Sequence, residues 1–414
     1  MSLSLRVPRH AVTSAMALTL IILLLGCAPT SPRPAAAAGR SATAATGHVS
    51  AAPDAVWPYY AELSAARSPV YSSPRDITIR NTDTATVVTT VGPPPPYQTF
   101  ALVTGTGQPD RWVVGAQPWH PQDLDNSAQP VTLFTLAFDP VSKRATLTPL
   151  PIPPVQAGAL VSGGPVPAGQ EQLAAVELSP DGTQVATVMV MPSVFEVRVY
   201  TVASGAVRTW SQRVPTAGPS PGWQFSLTWL DASRTLAVGY REATPVRPAL
   251  AVLYLDTTRP GGALTEAGRT VVLSFPTAKS PSSFKDPFPP DGCTGPPVVT
   301  SDGQTVLCSG LAVTPMNFAG ATQVGVWVFA ARTGKLTAPW NQHVICCALT
   351  TDEFPDILWV SPRGQIIIAS GMSTANWGEE LFLRTPGGQL RRLPWQGIYA
   401  DPDTLPPIEP PVAW

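Results

Sequence analysis

The chain alternates apolar runs with short polar turns, and the alternation repeats. ELSPDGTQVATVMV (177–190) sets an apolar run, a Ser-Pro-Asp-Gly turn, a polar pair and a second apolar run in series. Apolar runs on both sides of a glycine-containing turn predict an antiparallel hairpin, with Asp181 and Gly182 at the reversal. The same order recurs as PVVTSDGQTVLCSG (297–310), as ILWVSPRGQIIIASG (357–371) and, more loosely, as FSLTWLDASRTLAVGY (225–240). A second pair of strand-like runs follows each hairpin: RVYTVASGAVRTW (198–210), VWVFAARTGKLTAPW (326–340) and ELFLRTPGGQLRRLPW (380–395) each end in tryptophan. Residues 132–151 and 249–275 fill the same slot with altered turns. Five four-strand units result, their first hairpins centred near Asp110, Asp181, Asp231, Asp302 and Arg363.

Units of four antiparallel strands that cannot bury both faces alone find partner surfaces by stacking radially, which predicts an all-β propeller. Residues 69–91 read as the last three strands of a further unit lacking its first, and the tail after Trp395 supplies that strand and closes the ring. The expectation is six four-stranded blades, with seven if a long insertion hides strands.

The Ser-Pro-Asp-Gly hairpins resemble the WD40-like (PD40-like) repeats of TolB-type propellers over roughly residues 69–400. RATLTPLPIPP and EVRVY are also similar to phrases in propeller lipoproteins of high-GC Gram-positive bacteria. The Trp-Asp ending of true WD40 blades is absent, so that family's hydrogen-bond network does not carry over.

The first residues suggest an address. Arg6, Arg9 and His10 form a basic start, Ala15 to Leu25 an uncharged apolar stretch, and Leu24-Leu25-Gly26-Cys27 follows. This resembles the lipobox of bacterial lipoproteins, which implies a signal peptide over 1–26, cleavage after Gly26 and lipidation (palmitate or another acyl chain) of Cys27. The apolar stretch is shorter than the ~20 residues of a spanning helix. Residues 27–68, rich in Ala, Pro, Ser and Thr, read as a disordered tether, and 69–414 as the propeller. Residues 28–53 would reach ~70–80 Å if extended near the polyproline rise.

Only 13% of residues are charged, while 49 are proline and 32 glycine, which suits short strands and turns. A formal net charge of −1 gives no general affinity for nucleic acid or anionic lipid.

Candidate chemistry is sparse. GPSPG (218–222) fits G-x-S-x-G, but Pro221 follows Ser220 and has no N–H to offer an oxyanion, so the segment reads as a loop. His120, Asp123, Asp125 and Asn126 share one loop but lack the further carboxylates and glycine of a calcium loop. Asp352, Glu353 and Asp356 read as a solvated rim, GTG (105–107) as a turn, and Trp210, Trp340 and Trp395 as packing between blades. His48, His120 and His343 complete a histidine set too small for a usual zinc or base-driven site. No catalytic residue, metal ligand or cofactor is assigned.

Four cysteines remain beside Cys27: Cys293, Cys308, Cys346 and Cys347, which allow three connectivities in an exported chain. Cys293–Cys308 is the first choice and a bond from either to Cys346 or Cys347 the second. The functional expectation is a lipid-anchored protein on the extracytoplasmic face of the cell membrane. Its noncatalytic propeller would bind a protein or an envelope polymer. The alternative is a propeller hydrolase or dehydrogenase with a metal in the central channel.

Overall fold

The structure is a computed structural model. It describes residues 57–63, 75–118, 130–156, 171–213, 223–231, 233–242, 249–275, 293, 295–313, 322–345, 356–360, 366–370, 380–384, 389–394 and 412–413. In chain order the strands are β1 (Tyr59–Leu63), β2 (Ile77–Asn81) and β3 (Val87–Val91) in a first sheet. A second contains β4 (Thr99–Gly105), β5 (Arg111–Gln117), β6 (Pro130–Asp139) and β7 (Arg144–Pro149), with β8 (Val155–Gln156) paired to β6. The third is β9 (Gln172–Leu178), β10 (Gln184–Met191), β11 (Val194–Thr201) and β12 (Val207–Arg213), with β16 (Gly262–Ala263) paired parallel to β12 at Trp210↔Gly262 and Ser211↔Ala263 as its fifth strand. The fourth is β13 (Trp223–Leu230), β14 (Thr235–Glu242), β15 (Ala249–Asp256) and, after β16 (Gly262–Ala263) and the short helix α1 (Leu264–Ala267), β17 (Gly268–Val272). The fifth is β18 (Val298–Val299), β19 (Thr305–Val313), β20 (Thr322–Ala330) and β21 (Leu336–Ile345). The sixth is β22 (Asp356–Val360), β23 (Ile366–Ser370), β24 (Glu380–Arg384) and β25 (Leu390–Arg392). Last, β26 (Val412–Ala413) pairs antiparallel with β1 and completes the first sheet.

The chain is therefore an all-β propeller, as its repeat predicts, with six sheets among the described residues. Its core lies between sheets. Ile77, Ile79, Trp112 and Leu136 fill the space between the first and second, Val113, Leu173 and Val185 that between the second and third, and Val197, Trp210 and Leu236 that between the third and fourth. Val252, Val306 and Phe329 join the fourth to the fifth, while Leu307 and Val326 meet Ile357 and Val360 of the sixth. Burial between blades, and not inside one, is what obliges each repeat to have a neighbour.

The hairpin turns form because their polar side chains satisfy the turn backbone. Ser179 Oγ donates to Asp181 Oδ1 (2.6 Å), which also accepts from the Thr183 N–H (3.0 Å), while the Gln184 N–H donates to Ser179 Oγ (2.9 Å). Thr300 and Asp302 repeat this arrangement, with Thr300 Oγ1 donating to Asp302 Oδ1 and the Gln304 N–H to the same oxygen (2.9 Å). Gly182 and Gly303 take φ of 71° and 67°, the left-handed conformation that costs glycine least. In the equivalent turns Asp110 and Asp231 take positive φ themselves (59° and 49°). The hairpin centre near Arg363 lies outside the described residues.

Two boundaries differ from the expectation. β1 lies at 59–63, inside the segment 27–68 read as tether, so ordered chain begins before residue 69. The first sheet takes the neighbour of β2 from YYAEL. Its apolar pattern is broken by Glu62, whose charge is met by Arg80 across the strand pair. A buried ion pair hides a strand from a search for apolar runs. The tail does supply a strand, but one reduced to Val412–Ala413, which packs beside β22 and β4. The Trp112 Nε1–H donates to the Ala413 carbonyl (2.9 Å), tying residues 301 positions apart.

Candidate binding face

Connections of very different lengths leave the two ends of the strands. Between first and second strands the connections are 106–110, 179–183, 231–234, 300–304 and 361–365. Between third and fourth they are 82–86, 140–143, 202–206, 331–335 and 385–389, with the 257–267 insertion as the exception. Antiparallel topology puts both sets at one end, and ladder bonds join them: the Val202 N–H donates to Thr183 O (2.8 Å), Thr257 to Arg234 O (2.9 Å) and Ala331 to Gln304 O (3.0 Å). Neighbouring sheets also touch there, with Gln184 Nε2 donating to Ser233 O (3.3 Å) and Leu230 packing on Gly303. From the opposite end leave 64–76, 118–129, 243–248, 314–321 and 371–379, and the inter-sheet connections 92–98, 150–171, 214–222, 273–297, 346–355 and 393–411; only 192–193 is tight. That end is the candidate binding face.

Polar groups gather near it on the third and fourth sheets. Arg198 is held by Glu171 (2.6 Å) and Glu196 (2.7 Å), and Arg241 Nη1 donates to Gln224 Oε1 (3.2 Å). Such pairing fixes the side chains more than it adds stability, since partly exposed pairs contribute ~0–1 kcal/mol.

The short-turn end carries a different feature. Glu177, on β9 directly before its turn, has Oε2 enclosed with no hydrogen-bond partner among the described residues. A Cβ at Gly107 would stand 3.9 Å from its Oε1, so the carboxyl reaches the turn of the second sheet. Trp229 Nε1 of the fourth sheet donates to the Glu177 carbonyl (3.5 Å). Burial holds the Glu177 carboxyl well above the usual carboxylate range, opposed in part by the Trp229 backbone N–H. Burial likewise raises Asp110, and raises Glu62 against the pull of Arg80. A carboxyl raised in the folded state binds its proton more tightly there than in the unfolded chain. Its stabilising contribution is complete below the unfolded value and is lost as pH rises through the folded one. Wild-type melting temperature is therefore expected to fall as pH rises above about 5, and Glu177→Gln to flatten that slope and melt higher than wild type at alkaline pH. Parallel pH–melting curves for the two proteins would show that Glu177 is ionised in the fold.

Sequence-predicted residues divide between described and undescribed chain. Cys27, His120, Asp123, Asp125, Asn126, Ser220, Cys346, Cys347, Asp352, Glu353 and Trp395 lie outside the described residues. Asp356 opens β22, and His343 sits in β21 opposite Val324. GTG is a turn, with Thr106 Oγ1 donating to Arg111 O (3.0 Å) and Gly107 at φ 68°. Trp210 is fully buried between sheets, its Nε1–H donating to Pro260 O (3.1 Å). Glu177 was legible only as a polar residue in a strand, since nothing in ELSPDG marks which neighbour covers it.

Cys293 and Cys308 face each other at bonding distance, with Cα atoms 5.6 Å apart, and both are buried. The register Val298↔Leu307 sets Cys308 opposite residue 297, so the chain before β18 folds back to bring Cys293 across. β18 has only two residues, against seven or eight in β4, β9 and β13, and the cysteine pair lies where ladder bonds are fewest. Cys308→Ser is expected to cost about 3 kcal/mol of unfolding free energy, the loop-restriction value for a closure of this length. Reduction should cost wild type the same amount and leave the variant unchanged in denaturant titrations; equal sensitivity of both proteins to reductant would mean that the thiols are free.

No protein-family model matches the chain, and no curated protein sequence does. Solved structures do resemble it. A candidate 6-phosphogluconolactonase from Bacteroides fragilis aligns at 11% identity over 83% of this chain and 96% of that one, with a TM-score of 0.40. A candidate TolB from Agrobacterium tumefaciens aligns at 11% identity over 82% and 89% (TM-score 0.39). The β-propeller domain of the Trilobed protease from Pyrococcus furiosus aligns at 8% identity over 80% and 83% (TM-score 0.37). At such identities and TM-scores the likeness assigns this chain no activity, substrate or partner. The chain is an all-β propeller by its own strand order and by the side chains buried between its sheets.

Proposed function

We propose that the protein is a lipid-anchored extracytoplasmic platform, held to the membrane through Cys27, whose propeller presents the long-connection face to a protein or envelope polymer. The observation that carries this reading is the segregation of connection lengths. One end of the strands is closed by turns that bond to themselves, while the other bears nearly all the long connections. Binding residues belong on loops placed by a rigid scaffold, and a ring of sheets packed through buried side chains is such a scaffold. The lipobox-like Leu24-Leu25-Gly26-Cys27 supports the address.

In protein lacking residues 1–27, so that no lipid anchor contributes, shortening 118–129 and 314–321 to two-residue Asn-Gly turns should leave melting unchanged and abolish co-sedimentation with purified cell envelope. Replacing 202–206 and 331–335 with turns of equal length should change neither melting nor co-sedimentation. Undiminished co-sedimentation of the first variant, or undiminished acylation and membrane retention of full-length Cys27→Ser protein, would defeat the proposal.

A further inference from the structure

The outer strands of the sheets are guarded unequally. β12 is covered by β16, which pairs parallel to it, so an outer edge of this fold does accept a further strand. β7 carries Arg144 and Pro149, β21 contains Pro339, and β25 carries Arg391 and Arg392. β17 carries Arg269, and just beyond it Ser274 bridges to Lys335 of the fifth sheet. β3 is different. It reads VVTTV, five β-branched residues with no charge and no proline, and among the described residues no strand pairs with its outer side. Val87 is 54% exposed, and Thr90 is exposed as well. Charges, prolines and covering segments keep strand edges from pairing, so an uncharged β-branched edge without them is a template for another strand. We propose that β3 pairs antiparallel with β3 of a second copy of this chain, joining the first sheets of two propellers into one continuous sheet. The inference goes beyond the binding-face reading and uses a different surface.

The strand itself selects the occupant. A register shift between Ile79 and Arg80 falls at Val88, and Thr89, Thr90 and Val91 continue in regular pairing with Ile79, Thr78 and Ile77. Full overlap of these three residues with their copies puts Thr90 opposite Thr90 of the second copy and Thr89 opposite its Val91. Every pair is then β-branched, and no charge meets its like. A two-fold axis at Thr90 makes the contact isologous and closes it, because each copy spends its unguarded edge on the other. A foreign peptide would be selected by pockets for its alternate side chains, and exposed side chains as short as Val87 and Thr90 build no walls for one. Gly92 and the run Pro93 to Pro96 follow β3 at once. Prolines have no N–H to extend a ladder, which holds the contact to a few residues. A contact so short falls below the size of stable dimer interfaces, so association depends on concentration.

Full-length Thr90→Cys protein is oxidised at about 10 µM and at about 1 mM, a range that separates weak association from none, and covalent dimer is read on non-reducing gels. Wild type gives the background from the native cysteines. Val141→Cys is the collision control, because Val141 is 91% exposed in the 140–143 turn of the second sheet. Directly opposed residues of antiparallel strands have Cα atoms about 4.5–5.5 Å apart, within disulfide reach, so Thr90→Cys should cross-link at least about tenfold faster than Val141→Cys. Wild type should sediment faster as its concentration rises. Thr90→Lys sets like charges opposite one another and should melt as wild type does while losing that concentration dependence. Cross-linking of Thr90→Cys no faster than that of Val141→Cys, wild-type sedimentation that ignores concentration, or undiminished association of Thr90→Lys overturns the proposal. An edge that serves another protein in place of its own copy gives the first two of these results. Each leaves the long-connection face untouched, since that reading stands or falls on the loop-shortened proteins.

Discussion

Removing residues 411–414 should lower the unfolding free energy by about 4 kcal/mol, taking about 1 kcal/mol for each lost hydrogen bond and the remainder from apolar surface returned to water. β26 is only two residues long, yet it pairs Ala61 with Ala413 and Glu62 with Val412, accepts the Trp112 indole N–H and packs beside both β22 and β4. Without it, β1 becomes an open edge at its buried carboxylate. Trp112→Phe should cost more than the roughly 1 kcal/mol of the indole bond, because at this fully buried position the smaller ring also leaves a cavity while the Ala413 carbonyl loses its donor. Denaturant titration of both proteins decides the matter. A truncated chain that unfolds at the wild-type midpoint would mean that the ring does not depend on its tail.

Gly239→Ala should cost about 3 kcal/mol or more, at the upper end of overpacking penalties. Gly239 lies on β14 opposite Ser226, and a Cβ there would overlap the Pro297 carbonyl oxygen and approach Ser226 Oγ to 2.5 Å. Backbone of the fifth sheet is the obstacle, so no rotamer change relieves it. Ser226 Oγ donates to that same carbonyl (2.6 Å), making this a point where two sheets are locked together. Gly262→Ala is the matched control: nothing lies within 4 Å of its added methyl, and its effect should stay within about 0.5 kcal/mol. A normal melting temperature for Gly239→Ala would show that the fourth and fifth sheets can separate here without loss.

Legibility in the sequence followed the range of the forces involved. The turns at Asp181 and Asp302 could be read directly, because their hydrogen bonds join residues no more than five apart. β1 was missed for the opposite reason: Glu62 is tolerated in a buried strand by Arg80, 18 residues away, and local composition carries no trace of that partner. The position of Cys293 was legible only as far as the register of its hairpin, and the fold-back that brings it to Cys308 belongs to the chain before β18. Of the candidate site, the sequence offered loops rich in polar residues but no ranking among them.

By itself the sequence determined the strand periodicity, the turn chemistry and the repeat, and from these an all-β propeller, since a four-strand unit with two apolar faces must stack. Tertiary structure alone decided which residues share an environment. It placed Glu177 among three sheets and brought Ala413 to Trp112. Burial and electric field depend on distance in space, and only the closed ring fixes those distances.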